Sequence, residues 1–371
     1  MAPSKDSKER PDVWFVFIER SIVLDHVKGT VYVQSLRRDD GEWLARTENF
    51  ISDVSCRDAA VSDREATKAH VQVISEPKQA EYCDKVRTCQ SHLRAGSSYE
   101  LCLTDCTHIS SSEDAWAMYL RLRSANPAPF SAYLDLTGPD STQNIKVVGS
   151  SPERFLSWSR EGACQFRPIK GTVKKTPTTT RAMAEAQLKT PKEQAENLMI
   201  VDLIRHDLSG VHGYEHLLRS YLKRTDLLTL LPPSVENVHV PQLMKVEEYA
   251  TVYQLVSVIS GTLTPETSGL PVLAASLPPG SMTGAPKKRS CSLLTDIEGQ
   301  RPRGLYSGVL GYLDVGGGGD FSVVIRTTFQ YGGGNWQIGA GGAVTVLSDA
   351  QAEWEEMAAK KESLLKVFGV V

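Results

Sequence analysis

The sequence predicts an α+β fold in which long antiparallel strands are covered by helices. Predicted strands and helices are mixed along the 371 residues without the regular alternation that builds a parallel sheet. Glycine clusters at residues 316–319 and 332–334 are typical of hairpin turns between antiparallel strands. Hydrophobic residues make up 41% of the chain and charged residues 23%, which is enough for a large core.

The individual elements follow from local signals. Segments rich in β-branched and aromatic residues predict strands at residues 13–18, 31–36, 99–104, 131–136, 145–149, 163–170, 305–314, 321–329, 335–339 and 343–347. Apolar periodicity with capping or proline signals predicts helices at residues 77–96, 110–123, 179–208, 246–259, 287–297 and 349–367. Ser110 and Ser348 stand at the first position of capping-box patterns, and residues 37–75 are charged and weakly patterned.

Charge and composition exclude several classes of protein. The net charge of −3, from 41 basic and 44 acidic residues, gives no electrostatic reason to expect binding to nucleic acid or to an anionic membrane. No apolar run approaches the roughly 18 residues of a membrane span, and the polar start has no targeting signal.

The seven cysteines contain no CxxC pair, and Cys102, Cys106 and His108 make only half of a metal site. We therefore expect a cytoplasmic protein.

Two helices carry paired glutamates. In the C-terminal helix, Glu353, Glu356 and Lys360 border the apolar stripe; the alternative is a solvated helix face with an ordinary ion pair. Residues 191–205 are apolar nearly all round and are predicted to be buried, yet Glu193 and Glu196 lie on one side of them. Buried carboxylates need protons, partners or a metal ion. Four carboxylates suit a hard divalent ion, so the sequence predicts a Mg²⁺ site.

Other candidates lie at the ends of strands. Lys170 stands between a strand and a glycine turn, either as a surface lysine or as a desolvated nucleophile or anion binder. Glu153 directly follows a strand, where a surface acid paired with arginine is the simpler interpretation. Arg326 ends an apolar strand, and a buried arginine there requires an anion.

Two glycine-containing loops have the outline of nucleotide-binding motifs but lack essential parts. Residues 280–287 do not have the spacing of a phosphate loop, although hydroxyls before a helix, such as that of Ser281, can bind a carboxylate. Residues 339–342 lie between two strands and lack the third glycine and the helix of a dinucleotide fingerprint. Gly341 there permits either close approach to a ligand or plain strand packing.

Together these motifs resemble the chorismate-utilising enzymes, and among them the branch of aminodeoxychorismate synthase component I. The matching blocks are residues 97–104, 151–155, 167–172, 193–211, 245–263, 278–287, 306–326 and 339–360, in the family's order. The family fold is a large α+β domain with two antiparallel sheets and flanking helices. The resemblance implies a chorismate-binding catalytic domain at residues 76–371 and a partial N-terminal region, shorter than the family's, at residues 1–75.

The resemblance also implies roles for the candidate residues. The positions that match the Mg²⁺ ligands are Glu193, Glu196, Glu353 and Glu356. The positions that match the substrate pocket are Ser281, Tyr306, Arg326, Gly341, Lys360 and Gln254. Arg326 and Tyr306 match the residues that bind the enolpyruvyl carboxylate, and Gln254 replaces a family histidine near the leaving group. Glu153 matches the general acid that protonates the departing C4 hydroxyl.

Lys170 indicates the branch of the family. Anthranilate synthases have alanine here. The lysine form implies that the amine attacks C2 of chorismate as the C4 hydroxyl leaves, after which ammonia adds at C4 and expels the lysine. Isochorismate and salicylate synthases have a lysine base where this chain has Glu100, which argues against water as the nucleophile.

The predicted activity is therefore conversion of chorismate and ammonia to 4-amino-4-deoxychorismate, for p-aminobenzoate and folate biosynthesis. The chain has no cysteine nucleophile elbow with a following His-x-Glu, so ammonia must come from a glutamine amidotransferase subunit, a missing fused domain or solution. The alternatives are an anthranilate synthase-like enzyme, an N-terminally truncated subunit without activity and, for the incomplete fingerprint, a redox dinucleotide enzyme.

Overall fold

The computed structural model describes residues 12–55, 70–137, 144–209, 235–249, 251–265 and 267–369. The chain divides into two compact units, Met1–Ala69 and His70–Val371. None of the described helices is long and apolar enough to cross a membrane. The predicted α+β class is confirmed, because helices pack on antiparallel sheets in the larger unit.

The smaller unit contains a hairpin and a helix. Strands β1 (Arg20–Asp25) and β2 (Thr30–Ser35) pair antiparallel, and helix α1 (Gly41–Ser55) follows them. The strand predicted at residues 31–36 is confirmed. The strand predicted at residues 13–18 is wrong. Helix α1 has no counterpart among the predicted helices, although Trp43, Leu44, Phe50, Ile51 and Val54 recur at helical spacing in its charged sequence.

The larger unit contains the remaining elements. Its strands are β3 (Val71–Ser75), β4 (Glu100–Ser111), β5 (Phe130–Leu136), β6 (Ile145–Ser151), β7 (Arg154–Trp158), β8 (Ala163–Phe166), β9 (Ile169–Lys174), β10 (Val235–Glu248), β11 (Val252–Leu263), β12 (Gly284–Ala285), β13 (Val309–Leu313), β14 (Gly319–Val323), β15 (Thr327–Tyr331) and β16 (Trp336–Val344). Its helices are α2 (Gln79–Arg94), α3 (Ala115–Ala125), α4 (Arg181–Leu188), α5 (Pro191–Ser209), α6 (Gly269–Ser276), α7 (Lys287–Ile297) and α8 (Ala350–Leu365).

These strands form two antiparallel sheets, each of seven strands among the described residues. The first has the order β12-β4-β16-β15-β6-β5, with β3 also paired to β4. The second has the order β10-β11-β8-β7-β14-β13, with β9 also paired to β11. Helices α2 and α8 cover the first sheet through a core that includes Tyr82, Leu103 and Met357. Helices α4 and α5 pack on the second sheet.

Two of the places where the chain passes between the sheets are neighbours. One crossing joins β6 to β7 through Glu153. The other joins β14 to β15 through Arg326, whose φ of +50° is uncommon for arginine. The amide of Ser150 donates to the Arg326 carbonyl at 3.0 Å, and the amide of Val323 donates to the Glu153 carbonyl at 3.1 Å. Backbone hydrogen bonds therefore hold the two candidate residues together at the junction of the sheets.

Several predicted elements are wrong in ways that have a physical cause. Residues 246–259, predicted as a helix, belong to the β10–β11 hairpin; β11 is buried almost throughout, so it lacks the alternation that identifies a half-buried strand. The predicted helix at residues 179–208 is two helices, α4 and α5, and the predicted strand at residues 321–329 is divided at Arg326.

The predicted helix caps are also wrong. Ser110 lies within β4, and the side chain of Asp114 caps α3 instead. Asp349, not Ser348, caps α8, because its carboxylate accepts hydrogen bonds from the backbone amides of the first turn.

A buried ion pair between Arg303 and Glu298 ties the loop before α7 to the first sheet. The guanidinium donates to the two Glu298 carboxylate oxygens at 2.9 and 2.6 Å. Its other N–H groups donate to Met282 O, Ser307 Oγ and Cys102 O. The amide and the hydroxyl of Thr104, on β4, both donate hydrogen bonds to Glu298 Oε1. All five N–H groups of the guanidinium are thus used.

Removal of this guanidinium should leave the Glu298 carboxylate buried without its counter-charge. We expect Arg303→Met to lower the free energy of unfolding by about 3–5 kcal/mol, as when one partner of a buried ion pair is removed. Urea unfolding measures the loss. Arg301→Met is the control, because the ion pair of Arg301 with Asp105 is longer, at 3.3 Å, and more exposed, and should contribute about 1 kcal/mol or less. Equal losses in the two variants would contradict the assignment.

Candidate active site

Lys170 lies on a bulged strand. In β9, Thr172 pairs with Gln254 of β11 and Lys170 pairs with Leu255, so Gly171 is the extra residue of a β-bulge. Gly171 has a φ of +75°, which glycine adopts without steric cost. A bulge re-aims the side chains beside it, and the side chain of Lys170 is only 12% exposed. The lysine is therefore an interior residue and not a surface one.

Two carboxylates hold the Lys170 amine. Its Nζ is 3.3 Å from Glu100 Oε1 and 3.8 Å from Glu196 Oε2. Burial disfavours the ammonium form, but the negative charges of Glu100 and Glu196 outweigh burial and raise the pKa of Lys170. The amine is therefore charged in this state, and it must lose a proton before it can act as a nucleophile.

The glutamates of α5 lie beside the bulge. A Cβ atom on Gly171 would come within 2.8 Å of Glu193 Oε2, so the missing side chain makes room for this carboxylate. Glu196 is buried and faces Lys170. The prediction that this helix is buried all round is wrong, because Leu198 is 46% exposed.

The glutamates of α8 lie against β16 in a similar way. A Cβ atom on Gly342 would come within 2.9 Å of Glu353 Oε2 and 3.7 Å of Glu356 Oε1. Glu353 is 2% exposed and accepts a hydrogen bond from the Ser348 hydroxyl at 2.6 Å. Glu356 is on the exposed edge of the helix. A glycine therefore provides space for the carboxylates on both helices.

The two glutamate pairs fit magnesium by their chemistry. All four side chains supply carboxylate oxygens, which are the donors that Mg²⁺ prefers. Within the described residues, no group of three or more His, Cys, Asp or Glu side chains lies close enough together to hold a metal ion. The two pairs are thus separate in this structure, and the magnesium site stays a prediction.

Lys360 connects α8 to β16. Its Nζ donates to the Gly341 carbonyl at 2.8 Å and to Glu356 Oε1 at 2.6 Å. The ordinary ion pair within the helix is therefore present, but the same ammonium also reaches the backbone of the glycine strand.

Arg326 places a half-buried cation beside Tyr306. Burial lowers the pKa of Arg326, and the charges of Tyr306 and Glu356 act in the opposite direction. The ring of Tyr306 packs on Gly339, where a Cβ atom would come within 2.1 Å of it. The described residues give the guanidinium no hydrogen bond or salt bridge of its own. It can therefore accept an anionic ligand such as a carboxylate.

Glu153 is buried beside Ser281. Burial raises the pKa of Glu153 to about 7, although the hydrogen bond from Ser281 and the charge of Lys170 act to lower it. The simpler interpretation of an arginine-paired acid does not hold for this residue, since the adjacent Arg154 pairs with Asp320 at 2.8 Å. A carboxylic acid with a pKa near neutrality can keep its proton and donate it to a leaving group.

A small pocket adjoins this acid. Glu153 and Ser281 form part of its wall, and the other lining residues are Arg154, Phe155, Phe166, Pro168, Ile204, Asp207 and Gly280. The wall therefore combines the end of α5 with Glu153, the start of β7 and the loop before α7.

Gln254 lies on β11 beside the bulge and not in a helix. Its Nε2 donates to Thr172 Oγ1 at 3.4 Å, and the next residue, Leu255, pairs with Lys170. The amide can form hydrogen bonds near Lys170, but it cannot exchange a proton near neutral pH as histidine can.

Electrostatic contacts connect these side chains into one region. The thiol of Cys102, buried on β4, experiences the charges of Arg303, Lys170, Glu100 and Lys360, while burial raises its pKa to about 11. The structure thus places side chains from both sheets, from α5 and from α8 near the start of β4. Among Cys102, Cys106 and His108, which make only half of a metal site in the sequence, Cys106 Sγ lies 3.9 Å from His108 Nε2, and neither belongs to a metal-holding group among the described residues.

The comparison with known proteins identifies the family of the chain. A family model described as "chorismate binding enzyme" matches residues 2–217 and 212–366. The chain belongs to the chorismate binding enzyme family. Its fold resembles that of anthranilate synthase component I from Streptococcus pneumoniae, with a TM-score of 0.72 and 25% identity over 93% of this chain and 72% of that one.

Individual relatives in this family carry more specific names. The chain is 41% identical over 385 residues to an aminodeoxychorismate synthase of Saccharomyces cerevisiae, covering 96% of this chain and 46% of that protein. It is 31% identical over 365 residues to aminodeoxychorismate synthase component 1 of Escherichia coli, covering 96% of this chain and 70% of that protein. The chain thus spans about half the length of the yeast relative.

Two functional features of this chorismate binding enzyme lie outside the predicted set of site residues. From the sequence, Glu100 serves only as an argument against water as the nucleophile, yet the structure places it against Lys170. The network of Arg303 has no sequence signal, because Glu298 and Ser307 are near it in the chain but Met282 and Cys102 are 21 and 201 residues away. Glu100 directly follows two serines and Tyr99, and nothing in that segment indicates which side chain it will meet.

The raised pKa of Glu153 should make stability depend on pH. The ordinary pKa of the group is 4.5 and its pKa in the folded chain is about 7, so the folded state binds the proton more tightly. The bound proton therefore stabilises the folded state by roughly 3 kcal/mol. This stabilisation is fully present below about pH 4.5 and is lost as the pH rises through about 7. We expect Glu153→Gln to remove this loss from the free energy of unfolding, measured by urea titrations at a series of pH values.

The control for this prediction is Glu161→Gln. Glu161 is exposed and the hydrogen bond from Ser159 lowers its pKa, so the variant should keep the loss of stability above about pH 4.5. If the free energy of unfolding of Glu153→Gln kept the pH dependence of the wild-type chain, Glu153 would not be the group that binds this proton.

Proposed function

We propose that this chain carries out the chorismate conversion of an aminodeoxychorismate synthase, from chorismate and ammonia to 4-amino-4-deoxychorismate. The observation that carries the proposal is the buried Lys170 amine between Glu100 and Glu196. The printed names of the yeast and E. coli relatives support the same reaction. The product would serve p-aminobenzoate and folate biosynthesis after a separate lyase removes its enolpyruvyl group.

In this reaction Lys170 is the nucleophile. Its amine forms a bond to C2 of chorismate while the C4 hydroxyl leaves as water with the proton of Glu153. Ammonia then forms the C4–N bond as the C2–N bond to Lys170 breaks, and the amine is regenerated. The excess proton on Lys170 has two adjacent acceptors, Glu100 and Glu196. Two displacements with allylic shift leave the new nitrogen at C4.

The remaining polar groups orient the substrate in this proposal. Arg326 and Tyr306 bind the enolpyruvyl carboxylate, for which Arg326 offers its guanidinium. The groups placed around the ring and its carboxylate are those of Ser281, Gly341, Lys360 and Gln254. Because these groups come from different elements of a packed core, they hold the ring in one orientation relative to Lys170.

We also propose that Glu193, Glu196, Glu353 and Glu356 hold a Mg²⁺ ion. A bound magnesium ion would polarise the ring carboxylate and make the ring more electrophilic. The support is the donor chemistry of the four carboxylates and the space that Gly171 and Gly342 leave for them.

Ammonia would come from a glutaminase partner or domain. The E. coli relative is named component 1, and this chain covers only 46% of the yeast relative. The cytoplasmic location stays a prediction from composition.

The central test is amination by the purified chain with chorismate, Mg²⁺ and ammonium, followed by mass spectrometry of small molecules and of the intact protein. We expect 4-amino-4-deoxychorismate without pyruvate, and a covalent adduct on Lys170 when ammonium is omitted. Lys170→Ala should lose amination, because the nucleophile is gone. Lys174→Ala is the control, since Lys174 is an exposed lysine on the same strand.

Other results would change the assignment. Release of pyruvate would favour the anthranilate synthase-like activity that the structural neighbour carries in its name. Undiminished amination by Lys170→Ala would exclude the covalent route. A folded chain without any product would favour a subunit that needs a partner.

Magnesium binding has a readout that does not depend on activity. We expect Mg²⁺ to raise the melting temperature of the chain, because a ligand that binds only the folded state stabilises it. The rise should disappear in Glu196→Gln and in Glu353→Gln. Glu355→Gln, on the exposed side of α8, should keep it. An equal rise in all three variants would exclude these glutamates as ligands.

A further inference from the structure

Glu100 is a fully buried carboxylate with an incomplete set of partners. Its side chain is 0% exposed. Oε1 lies 3.3 Å from Lys170 Nζ, whereas Oε2 is buried without a hydrogen-bond partner in the described part of the chain. Buried polar atoms without partners are rare and costly. A charged group kept under these conditions calls for a role other than stability.

The backbone that carries Glu100 is fixed on both sides. Its carbonyl accepts a hydrogen bond from the Ser98 hydroxyl at 2.8 Å. Glu100 pairs with Ala285 of β12, and a Cβ atom on the adjacent Gly284 would come within 2.0 Å of the Glu100 carbonyl oxygen. The carboxylate therefore extends from a rigid strand end.

Lys170 approaches from the opposite sheet, and its amine forms ion pairs with Glu100 and Glu196. Glu196, on α5, is the more distant at 3.8 Å and is also a proposed magnesium ligand. Glu100, at 3.3 Å, is not a proposed magnesium ligand and belongs to the first sheet, while Lys170 belongs to the second. The contact between them is thus the one that fixes the amine relative to the opposite sheet.

We propose that Glu100 is the positioning residue for the Lys170 amine: Oε1 holds Nζ at the point from which it attacks the substrate. This inference rests on the proposed function for the identity of the reaction. It assigns the orientation of the nucleophile to Glu100, and it explains why a carboxylate is retained where burial alone favours a neutral or apolar side chain.

The test uses Glu100→Gln, which keeps the shape and removes the charge, and Glu100→Asp, which keeps the charge and retracts it by one methylene. Asp105→Asn is the matched control, because Asp105 lies on the same strand and forms a 2.8 Å ion pair with Lys85. We expect both Glu100 variants to slow formation of the Lys170 adduct, without ammonium, at least about tenfold. They should lower kcat by a similar factor, with the KM for chorismate changed by less than about twofold. Asp105→Asn should match the wild-type chain.

A second readout does not require turnover. Reductive methylation with formaldehyde and a borane reagent, resolved by peptide mass spectrometry, measures how freely the Lys170 amine reacts. Release from Glu100 should increase methylation of Lys170 in Glu100→Gln but not in Asp105→Asn. If the wild-type chain forms no aminated product, the proposed function fails for the chain without a partner, and the methylation result still tests the positioning.

Unfolding by urea separates positioning from structural support. We expect Glu100→Gln to be as stable as the wild-type chain or more stable. The proposal is overturned if Glu100→Gln keeps the wild-type methylation and adduct rate, or if its rate falls only in proportion to the folded fraction. If Glu100→Gln does not fold, Glu100→Asp provides the same comparison with the charge retained, and a wild-type adduct rate in that variant overturns the proposal.

Discussion

The five hydrogen bonds of the Arg303 guanidinium set the geometry on which the candidate active site depends. The hydrogen bonds from Arg303 to acceptors other than Glu298 each end close to a site residue. Cys102 is two residues from Glu100, Met282 follows Ser281, and Ser307 follows Tyr306. A planar group with fixed donor directions thereby sets the relative positions of a strand, a loop and a turn. Since the group is buried with its counter-ion Glu298, these positions cannot relax independently.

The region around Lys170 has the opposite character, because it is built from charges that a stable core would avoid. The ammonium of Lys170 and the carboxylates of Glu100 and Glu196 share one interior, and burial acts against the charged form of the lysine. The well-satisfied Arg303 network surrounds these less satisfied groups. This contrast is expected where a fold stabilises a reactive site by means of the structure around it.

The sequence predicts local features of this site well and distant pairings poorly. The spacing of the two Glu-x-x-Glu motifs is enough to predict carboxylate pairs on α5 and α8, since a helix fixes which residues share a side. The contact of Lys170 with Glu100 joins residues 70 positions apart on different sheets, and periodicity carries no information about it.

The errors in the predicted elements have the same origin. Residues 246–259 are misassigned to a helix because a strand buried on both faces has an unbroken apolar pattern. Likewise, the break at Arg326 is missed because residues on both of its sides have high strand propensity, although it determines where two sheets exchange strands. The antiparallel architecture itself was predictable, because the glycine turns and the mixed element order are local signals.

The paired crossings at Glu153 and Arg326 have a consequence for how enzymes of this fold can diverge. Main-chain hydrogen bonds set the separation between Glu153, the proposed proton donor, and Arg326, the proposed anion-binding residue, so substitution of neighbouring side chains leaves that separation unchanged. Lys170, the proposed nucleophile, stands on β9, a different strand with its own bulge. Evolution can therefore exchange the attacking group, and with it the product, while the leaving-group chemistry and the orientation of the substrate stay constant.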